Sequence, residues 1–275
     1  MTTTEYDSDQ PGFETVDDCE RCLLLLDACT GAIVSALGDD LGSQPNVVDL
    51  GCGVGEPGLS LVKTHHDWHL TGIDLSPALI AAARQHAQEQ DLTDRTTFVT
   101  GSMDRLPIDD GTVDAVISRM GALLLGNPAT TAREMARILE PGGRFALAVW
   151  ARAEDHPLLT LSHRAITTHV AADLLPDLFT RFQQMAAPGV REGWLRAAGM
   201  SDVVVDAFDW VVHYPDFDSS WELAWSIWSG TLADLDELTV TRIRSTLHEL
   251  LGQYESRFGD GHNIPATCQM IYGTR

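Results

Sequence analysis

The sequence feature that most constrains the fold is a run of glycines directly after an apolar segment, in VVDLGCGVGEPGLSLV at residues 47–62. The apolar residues predict a short buried strand. Gly51, Gly53 and Gly55, at alternate positions, let the backbone turn tightly and approach a ligand without obstruction by Cβ atoms. The following residues predict a helix with Pro57 in its first turn, whose free N–H groups point toward the turn. We therefore predict a strand, a ligand-binding turn and a helix.

Four further segments before residue 151 read as strands, and helical patterns recur between them. One of these helices is predicted to begin at Ser76, a suitable N-cap residue that precedes Pro77. Strands that alternate with helices form right-handed crossovers, which build a parallel sheet with helices on both faces. The four strand segments are WHLTGIDL, TTFVTG, TVDAVIS and RFALAVW.

The pattern changes after Trp150. Residues 155–187 predict two helices broken at Pro176, with no strand between them. A core helix that ends at Gly199, a strand, a Trp-rich helix, another helix and a last strand follow. The two late strands bring the predicted sheet to seven. We expect an N-terminal helical cap at 1–45, a cofactor-binding core at 46–150, a helical lid at 151–193 and the remainder of the core at 194–275.

Composition excludes several partners. The chain carries 18 Lys and Arg against 40 Asp and Glu, a formal charge of −22, which repels nucleic acid backbones and anionic lipid headgroups. No segment has the length and apolar content of a membrane span, and the first residues lack the pattern of a signal peptide, so we expect a cytoplasmic protein. Cys19 and Cys22 form a CxxC without a second one, which favours helix packing over a metal or redox site.

The glycine run leaves two ligand classes open. Gly53, Gly55 and Gly58 have the GxGxxG spacing of a dinucleotide site, which would suit a nicotinamide-dependent oxidoreductase. Asp74 ends the second strand, where a carboxylate accepts ribose hydroxyls in either class. Asp49 separates them, because a carboxylate two residues before the first glycine repels a pyrophosphate and suits a ligand with an ammonium group, such as S-adenosylmethionine.

The segments FVTGSMDRLPIDDGTVDAVISRMGALLLGNP and REMARILEPGGRFALAVW resemble class I S-adenosylmethionine-dependent methyltransferases. They are most similar to the small-molecule, natural-product tailoring branch, which has SRxG after a strand and PGGR before a strand that ends in Trp. The resemblance is strong over 46–150 and weaker over 194–225 and 266–275. It implies an α/β, Rossmann-like, doubly wound seven-stranded sheet, mostly parallel with an antiparallel last strand, and a helical lid insertion.

The resemblance also implies the cofactor contacts. Asp49, Gly51 and Gly53 would hold the methionine and ribose parts, Asp74 the ribose hydroxyls, and Leu75 would lie beside the adenine. The family usually has Gly-Asp-Ala where this chain has Gly-Ser-Met. Either Ser102 or the nearby Asp104 would therefore accept the hydrogen bond from the adenine amine. The other positions that the resemblance assigns to the cofactor are Met103, Ser118, Arg119 and Met120, the last beside the transferred methyl.

The acceptor is expected to contact elements outside the core. Trp221, Trp225 and Trp228 repeat at i, i+4 and i+7 and share one helix face. That face either packs on the sheet or lines a substrate pocket for a flat aromatic acceptor or one that becomes cationic. Carbon, nitrogen and oxygen acceptors are not distinguished, and a catalytically silent S-adenosylmethionine-binding protein remains an alternative.

Two residues are candidates for a catalytic base. His163 lies in an apolar stripe with Leu159, Ile166 and Val170, where it is either a core histidine or a base that titrates near neutrality. Tyr6 is the second candidate, because in this fold the N-terminal segment often folds over the cofactor. In-line displacement from a sulfonium implies no metal, and HHDWH at 65–69 is predicted to be a solvated loop.

Overall fold

The structure is a computed structural model that describes residues 15–38, 41–175, 178–256 and 261–275. The strands in these ranges are β1 Asn46–Leu50, β2 His69–Asp74, β3 Thr96–Thr100, β4 Val113–Arg119, β5 Leu139–Trp150, β6 Ser201–Tyr214 and β7 His262–Thr274. The helices are α1 Val16–Leu37, α2 Gly58–Thr64, α3 Pro77–Glu89, α4 Pro128–Ile138, α5 Pro157–Thr167, α6 Leu178–Met185, α7 Val190–Ala197, α8 Phe217–Leu232 and α9 Glu237–Leu251.

The seven strands form one sheet in the order β3-β2-β1-β4-β5-β7-β6. Strands β1 to β5 pair in parallel, whereas β7 runs antiparallel to β5, with Trp150 opposite Cys268. The strand order reverses between β1 and β4, and the carboxyl ends of strands at such a reversal form the usual ligand crevice of open α/β sheets. The predicted Rossmann-like, mostly parallel sheet with an antiparallel last strand is confirmed.

Side-chain caps account for several helix starts. The Ser76 hydroxyl accepts a hydrogen bond from the Leu79 N–H, with Pro77 in the first turn, as the sequence predicts. Asn127 caps α4 in the same way, again followed by a proline. Asp236 caps α9, where its side chain accepts a hydrogen bond from the Thr239 N–H.

Two compact units divide the chain. The first consists of the described residues up to Trp150, Met185–Phe208 and Cys268–Arg275, and the second of Ala151–Gln184 and Asp209–Thr267. Helices α5, α6, α8 and α9 belong to the second unit, whereas α7 belongs to the first. The domain boundaries predicted from the sequence differ from this division, since they place α8 and α9 in the remainder of the core.

Helix α1 packs its apolar face against β4 and β5 of the first unit. Cys22, Leu26 and Cys29 are buried on that face, which agrees with helix packing as the role of these cysteines. The sulfur atoms of Cys29 and Cys268 lie 4.0 Å apart and are not joined by a disulfide. Among the described residues, no helix combines the length and apolar content that crossing a bilayer requires.

Candidate functional site

The candidate site lies at the carboxyl edge of the first unit's sheet. Asp49 of β1 is in register with Gly72 of β2 and Ile117 of β4, so the carboxyl ends of these three strands meet where the strand order reverses. The glycine loop follows β1 and is fixed to β2, because the N–H groups of Gly51 and Cys52 both donate to the Ile73 carbonyl, at 2.8 and 3.1 Å.

The loop glycines are required by backbone conformation and by close packing. Gly51 and Gly53 have φ angles of 69° and 53°, in the left-handed region that favours glycine. A Cβ on Gly51 would lie 3.1 Å from the Cα of Gly121, and one on Gly53 would lie 2.8 Å from the sulfur of Cys19. The loop therefore lies between the segment after β4 and helix α1, with no room for larger residues.

Asp49 is a buried carboxylate with one unsatisfied oxygen. Its side chain is 0% exposed, its Oδ2 accepts from the Gly58 N–H at 3.2 Å, and its Oδ1 has no hydrogen-bond partner among the described residues. Burial raises the pKa of this carboxyl to about 7, while Arg119 and the Gly58 N–H act in the opposite direction. A cationic hydrogen-bond donor at Oδ1 would satisfy both the charge and the free oxygen.

Asp74 is half-buried at the end of β2 and orders the loop. Its Oδ2 accepts from the Gly53 N–H at 3.0 Å and its Oδ1 from the Ser76 N–H at 2.9 Å. Each carboxylate oxygen has a second lone pair, so the group can still accept two hydroxyls. Leu75 follows with 44% of its side chain exposed, an uncovered apolar surface of the kind that a flat ring requires.

Ser102 and Asp104, in the segment after β3, have different hydrogen-bond partners. The Asp104 carboxylate accepts from the Asn127 N–H at 3.2 Å and from the Thr131 hydroxyl at 3.0 Å, so it is bound to the start of α4. Among the residues that the structure describes, the Ser102 hydroxyl accepts the Asp104 N–H at 3.2 Å and has no other partner, so it keeps a lone pair and its proton. Met103 lies at the glycine loop, with its sulfur 4.0 Å from the position of a Cβ on Gly51.

The residues that end β4 bind protein groups instead of facing open space. The Ser118 hydroxyl is fully buried, donates to the Leu50 carbonyl at 2.5 Å and accepts the Ala122 N–H at 2.8 Å. Its role is to join β1 to the segment after β4. Both hydrogen bonds of Ser118 are made within the protein, and its contact with the cofactor stays a prediction.

Arg119 likewise binds helix α1. Its Nη1 donates to the Thr30 hydroxyl at 3.0 Å and to the Leu26 carbonyl at 3.4 Å. The guanidinium therefore holds α1 beside the glycine loop and supplies the positive charge that favours ionised Asp49. Met120 is nearly buried and has a φ of 62°, an uncommon conformation for a residue other than glycine, as is often seen at functional sites.

The role of Gly121 was not predicted from the sequence. A Cβ there would lie 2.7 Å from the Leu50 carbonyl oxygen and 3.0 Å from the Ser118 hydroxyl, so only glycine fits. The signal was present as the last letter of the SRxG motif.

In the loop at 65–69, His65 stacks on Trp68 at 4.2 Å, and the described residues contain no cluster of three or more metal-binding side chains.

The candidate acceptor residues of the second unit divide into two groups. The Trp228 side chain is 1% exposed and its indole N–H donates to the Ser162 hydroxyl at 2.8 Å, which places it in the core of that unit. The rings of Trp221 and Trp225 are 6.0 Å apart and only partly covered. A shared helix face therefore did not give the three tryptophans a shared environment.

His163 lies in an aromatic cluster of the second unit. Its ring is 4.5 Å from that of Phe179 and 5.7 Å from that of Trp228. Burial lowers the pKa of the imidazole, so the neutral, proton-accepting form predominates at pH 7. Tyr6, the other candidate base, lies outside the described residues.

Part of the first unit is similar to known methyltransferases. Residues 47–143 match the family described as "Methyltransferase domain". Sterol 24-C-methyltransferase ERG6B of Gibberella zeae is 26% identical over 235 residues, and this chain spans 57% of that protein while 80% of the chain is covered. The malonyl-[acyl-carrier protein] O-methyltransferase of Geobacter sulfurreducens is 27% identical over 236 residues, or 84% of each chain. The solved YcgJ protein of Bacillus subtilis shares the fold, with a TM-score of 0.59, 18% identity, and coverage of 90% of this chain and 98% of that one.

Proposed function

Because residues 47–143 of this chain form a class I S-adenosylmethionine-dependent methyltransferase domain, we propose that the protein methylates a small apolar or aromatic metabolite. The cofactor of this domain is S-adenosylmethionine, which supplies an electrophilic methyl group on a sulfonium. The acceptor, the residues that bind the cofactor and the activity of the whole protein are parts of the proposal.

The observation that carries the proposal is the free oxygen of Asp49. The ammonium of the cofactor's methionine part would donate to Oδ1, neutralise a buried charge and complete the hydrogen bonds of the carboxylate. A dinucleotide pyrophosphate would instead bring a second negative charge toward Asp49 and Asp74. The site therefore favours a cationic amino acid nucleoside over NAD.

The other residues orient the same ligand. Asp74 would accept the two ribose hydroxyls, Leu75 would pack against the adenine ring, and Ser102 would accept the adenine amine. Ser118 and Arg119 act by position, since they fix β1 and α1 around the glycine loop. Met120, with its constrained backbone, would border the methyl group.

Methyl transfer disperses charge as the transition state forms, so the main requirements on the protein are alignment and exclusion of water. A base is needed only where the acceptor atom loses a proton. His163 can serve, because its neutral form accepts a proton at pH 7, and its ring lies 4.5 Å from that of Phe179.

The acceptor class rests on the tryptophans and on the relatives. Trp221 and Trp225 remain partly exposed, and aromatic surface of this kind binds flat or apolar molecules. The similar proteins are named for methylation of a sterol and of a malonyl group on a carrier protein. These names are compatible with a small acceptor and do not distinguish a carbon from an oxygen nucleophile.

The proposal is tested first by calorimetry. We expect S-adenosylmethionine and S-adenosylhomocysteine to bind and NAD to give no signal, and we expect Asp49→Asn to weaken S-adenosylmethionine binding at least tenfold, about 1.4 kcal/mol. Binding of NAD, or an unchanged affinity in Asp49→Asn, would contradict the assignment of the ligand.

Turnover is tested next, as release of S-adenosylhomocysteine in the presence of indoles, phenols and sterols. We expect release with at least one of these classes. Cofactor binding without release from any of them would contradict the proposed acceptor class and favour a cofactor-binding protein without catalytic activity.

A further inference from the structure

Arg191 is a buried arginine in the first turn of α7, within the first unit, and the hydrogen-bond partners of its guanidinium among the described residues are neutral. The side chain is 1% exposed. Its Nη1 donates to the Trp150 carbonyl at 2.9 Å and to the Gln269 side-chain oxygen at 2.5 Å. The orientation of Gln269 is fixed, because its Nε2 donates to the Ala186 carbonyl at 3.1 Å. The guanidinium is therefore held at the end of β5 by contacts that leave its charge uncompensated.

No carboxylate of the described residues forms an ion pair with Arg191 within 4.0 Å. Glu192 acts only at longer range, and burial lowers the pKa of the guanidinium to about 10. A cation in the first turn of a helix is also disfavoured by the helix dipole. Proteins rarely bury a charge without a counter-ion, because the loss of hydration is costly.

The unsatisfied atoms of Arg191 are Nε and Nη2. These two nitrogens form one edge of the guanidinium, with two parallel N–H groups whose spacing matches the two oxygens of a carboxylate. The start of α7 adds to the preference for an anion, since its N-cap is Gly189 and no side chain caps the helix.

We propose that the Nε and Nη2 edge of Arg191 binds a carboxylate bidentately, as a site distinct from the candidate cofactor site. The anion supplies the missing counter-charge and both missing hydrogen bonds. It enters when the first turn of α7 opens, which Gly189 in the left-handed conformation makes a natural hinge. This inference is independent of the proposed function.

The site is tested with acid and amide pairs of the same shape. Acetate and benzoate, with acetamide and benzamide as neutral controls, are titrated into the whole protein at constant ionic strength, with binding followed by calorimetry and by the midpoint of thermal unfolding. Arg191→Lys keeps the positive charge but loses the two parallel N–H groups, whereas Arg191→Gln loses both the charge and these N–H groups. Arg196→Gln is the matched control, because Arg196 lies on the same helix and its Nη2 donates to the Val203 carbonyl.

We expect acetate to bind wild type and Arg196→Gln alike, to bind Arg191→Lys at least tenfold more weakly, and not to bind Arg191→Gln. Binding of acetate without benzoate would identify a closed site for a free small carboxylate. Benzoate binding of similar strength would identify a site for the carboxylate of a larger molecule. Equal responses to acid and amide, or an unchanged acetate affinity in Arg191→Lys, would overturn the proposal. Arg191→Lys decides the question if Arg191→Gln does not fold.

Discussion

Replacing Asp49 by asparagine is expected to stabilise the ligand-free protein above neutral pH and to impair cofactor binding in the same variant. Burial raises the pKa of this carboxyl from 3.8 to about 7. A difference of about 3 pKa units, at about 1.4 kcal/mol each, corresponds to about 4 kcal/mol of lost folding free energy once the group is ionised. Asparagine has nearly the same shape and can still accept the Gly58 N–H.

The pH dependence follows from the direction of this shift. Below about pH 4 the carboxyl is protonated in both the folded and the unfolded chain, so it makes no difference to stability. Between about pH 4 and pH 7 the unfolded chain has released the proton and the folded protein still holds it, so stability falls as the pH rises. Above pH 7 the full penalty applies, and asparagine removes it.

Urea unfolding followed by circular dichroism, without ligand, at pH 5, 6, 7 and 8 measures this difference. We expect the advantage of Asp49→Asn to grow with pH and to approach about 4 kcal/mol at pH 8 as an upper limit. S-adenosylhomocysteine at a hundred times its dissociation constant should add about 2.7 kcal/mol to wild type and far less to the variant.

The control is Asp67→Asn, which changes an exposed carboxylate in the loop between α2 and β2 and should alter stability by less than about 0.5 kcal/mol. An Asp49→Asn protein that is less stable than wild type at every pH would refute the reasoning about burial. Unchanged affinity for S-adenosylhomocysteine would refute the role of the free oxygen.

Three further predictions concern single contacts. Gly53→Ala should weaken S-adenosylhomocysteine binding at least tenfold, about 1.4 kcal/mol, because the new Cβ meets the Cys19 sulfur. Cys19→Ala in the same chain should restore part of the affinity, whereas a wild-type binding curve for Gly53→Ala alone would argue against a tight loop. Ser102→Ala should weaken binding of the same ligand several-fold without a loss of stability, whereas Asp104→Ala should lower stability by about 1 kcal/mol through the lost contacts at α4. The reverse pattern in titration and urea unfolding would indicate that Asp104 binds the adenine amine. His163→Gln should lower turnover of acceptors that lose a proton, and in wild type this activity should persist below pH 6.5, because burial lowers the pKa of the imidazole. Turnover by His163→Gln equal to that of wild type would show that His163 is not the base.

The order of strands and helices could be predicted because it depends on local patterns. The apolar residues of β1, the three glycines after it and the Ser76 cap are determined by backbone conformation and burial over a few residues. The antiparallel last strand followed from the family resemblance. These features confirm that periodicity and turn residues specify the first unit's sheet well.

The partners of the polar site residues could not be predicted in the same way. Arg119 binds Thr30 on a helix 89 residues earlier, and such a contact depends on how α1 packs, which no local pattern encodes. Asp104 turns toward α4 because an uncapped N–H of Asn127 is nearby in space. Trp228 shares a helix face with Trp221 but is buried, and its indole N–H donates to Ser162 of another helix, so the helix face alone did not determine exposure.

The position of β7 has a consequence for synthesis of the protein. On the ribosome β6 emerges before β7, yet in the described part of the chain β7 is the strand that joins β6 to the sheet. Until residues 262–274 have been translated, the nascent chain therefore carries an open edge on β5 and an unpaired 14-residue strand. A polypeptide released early, before residue 262, should aggregate and depend on chaperones, even though every residue of the candidate cofactor site has been translated.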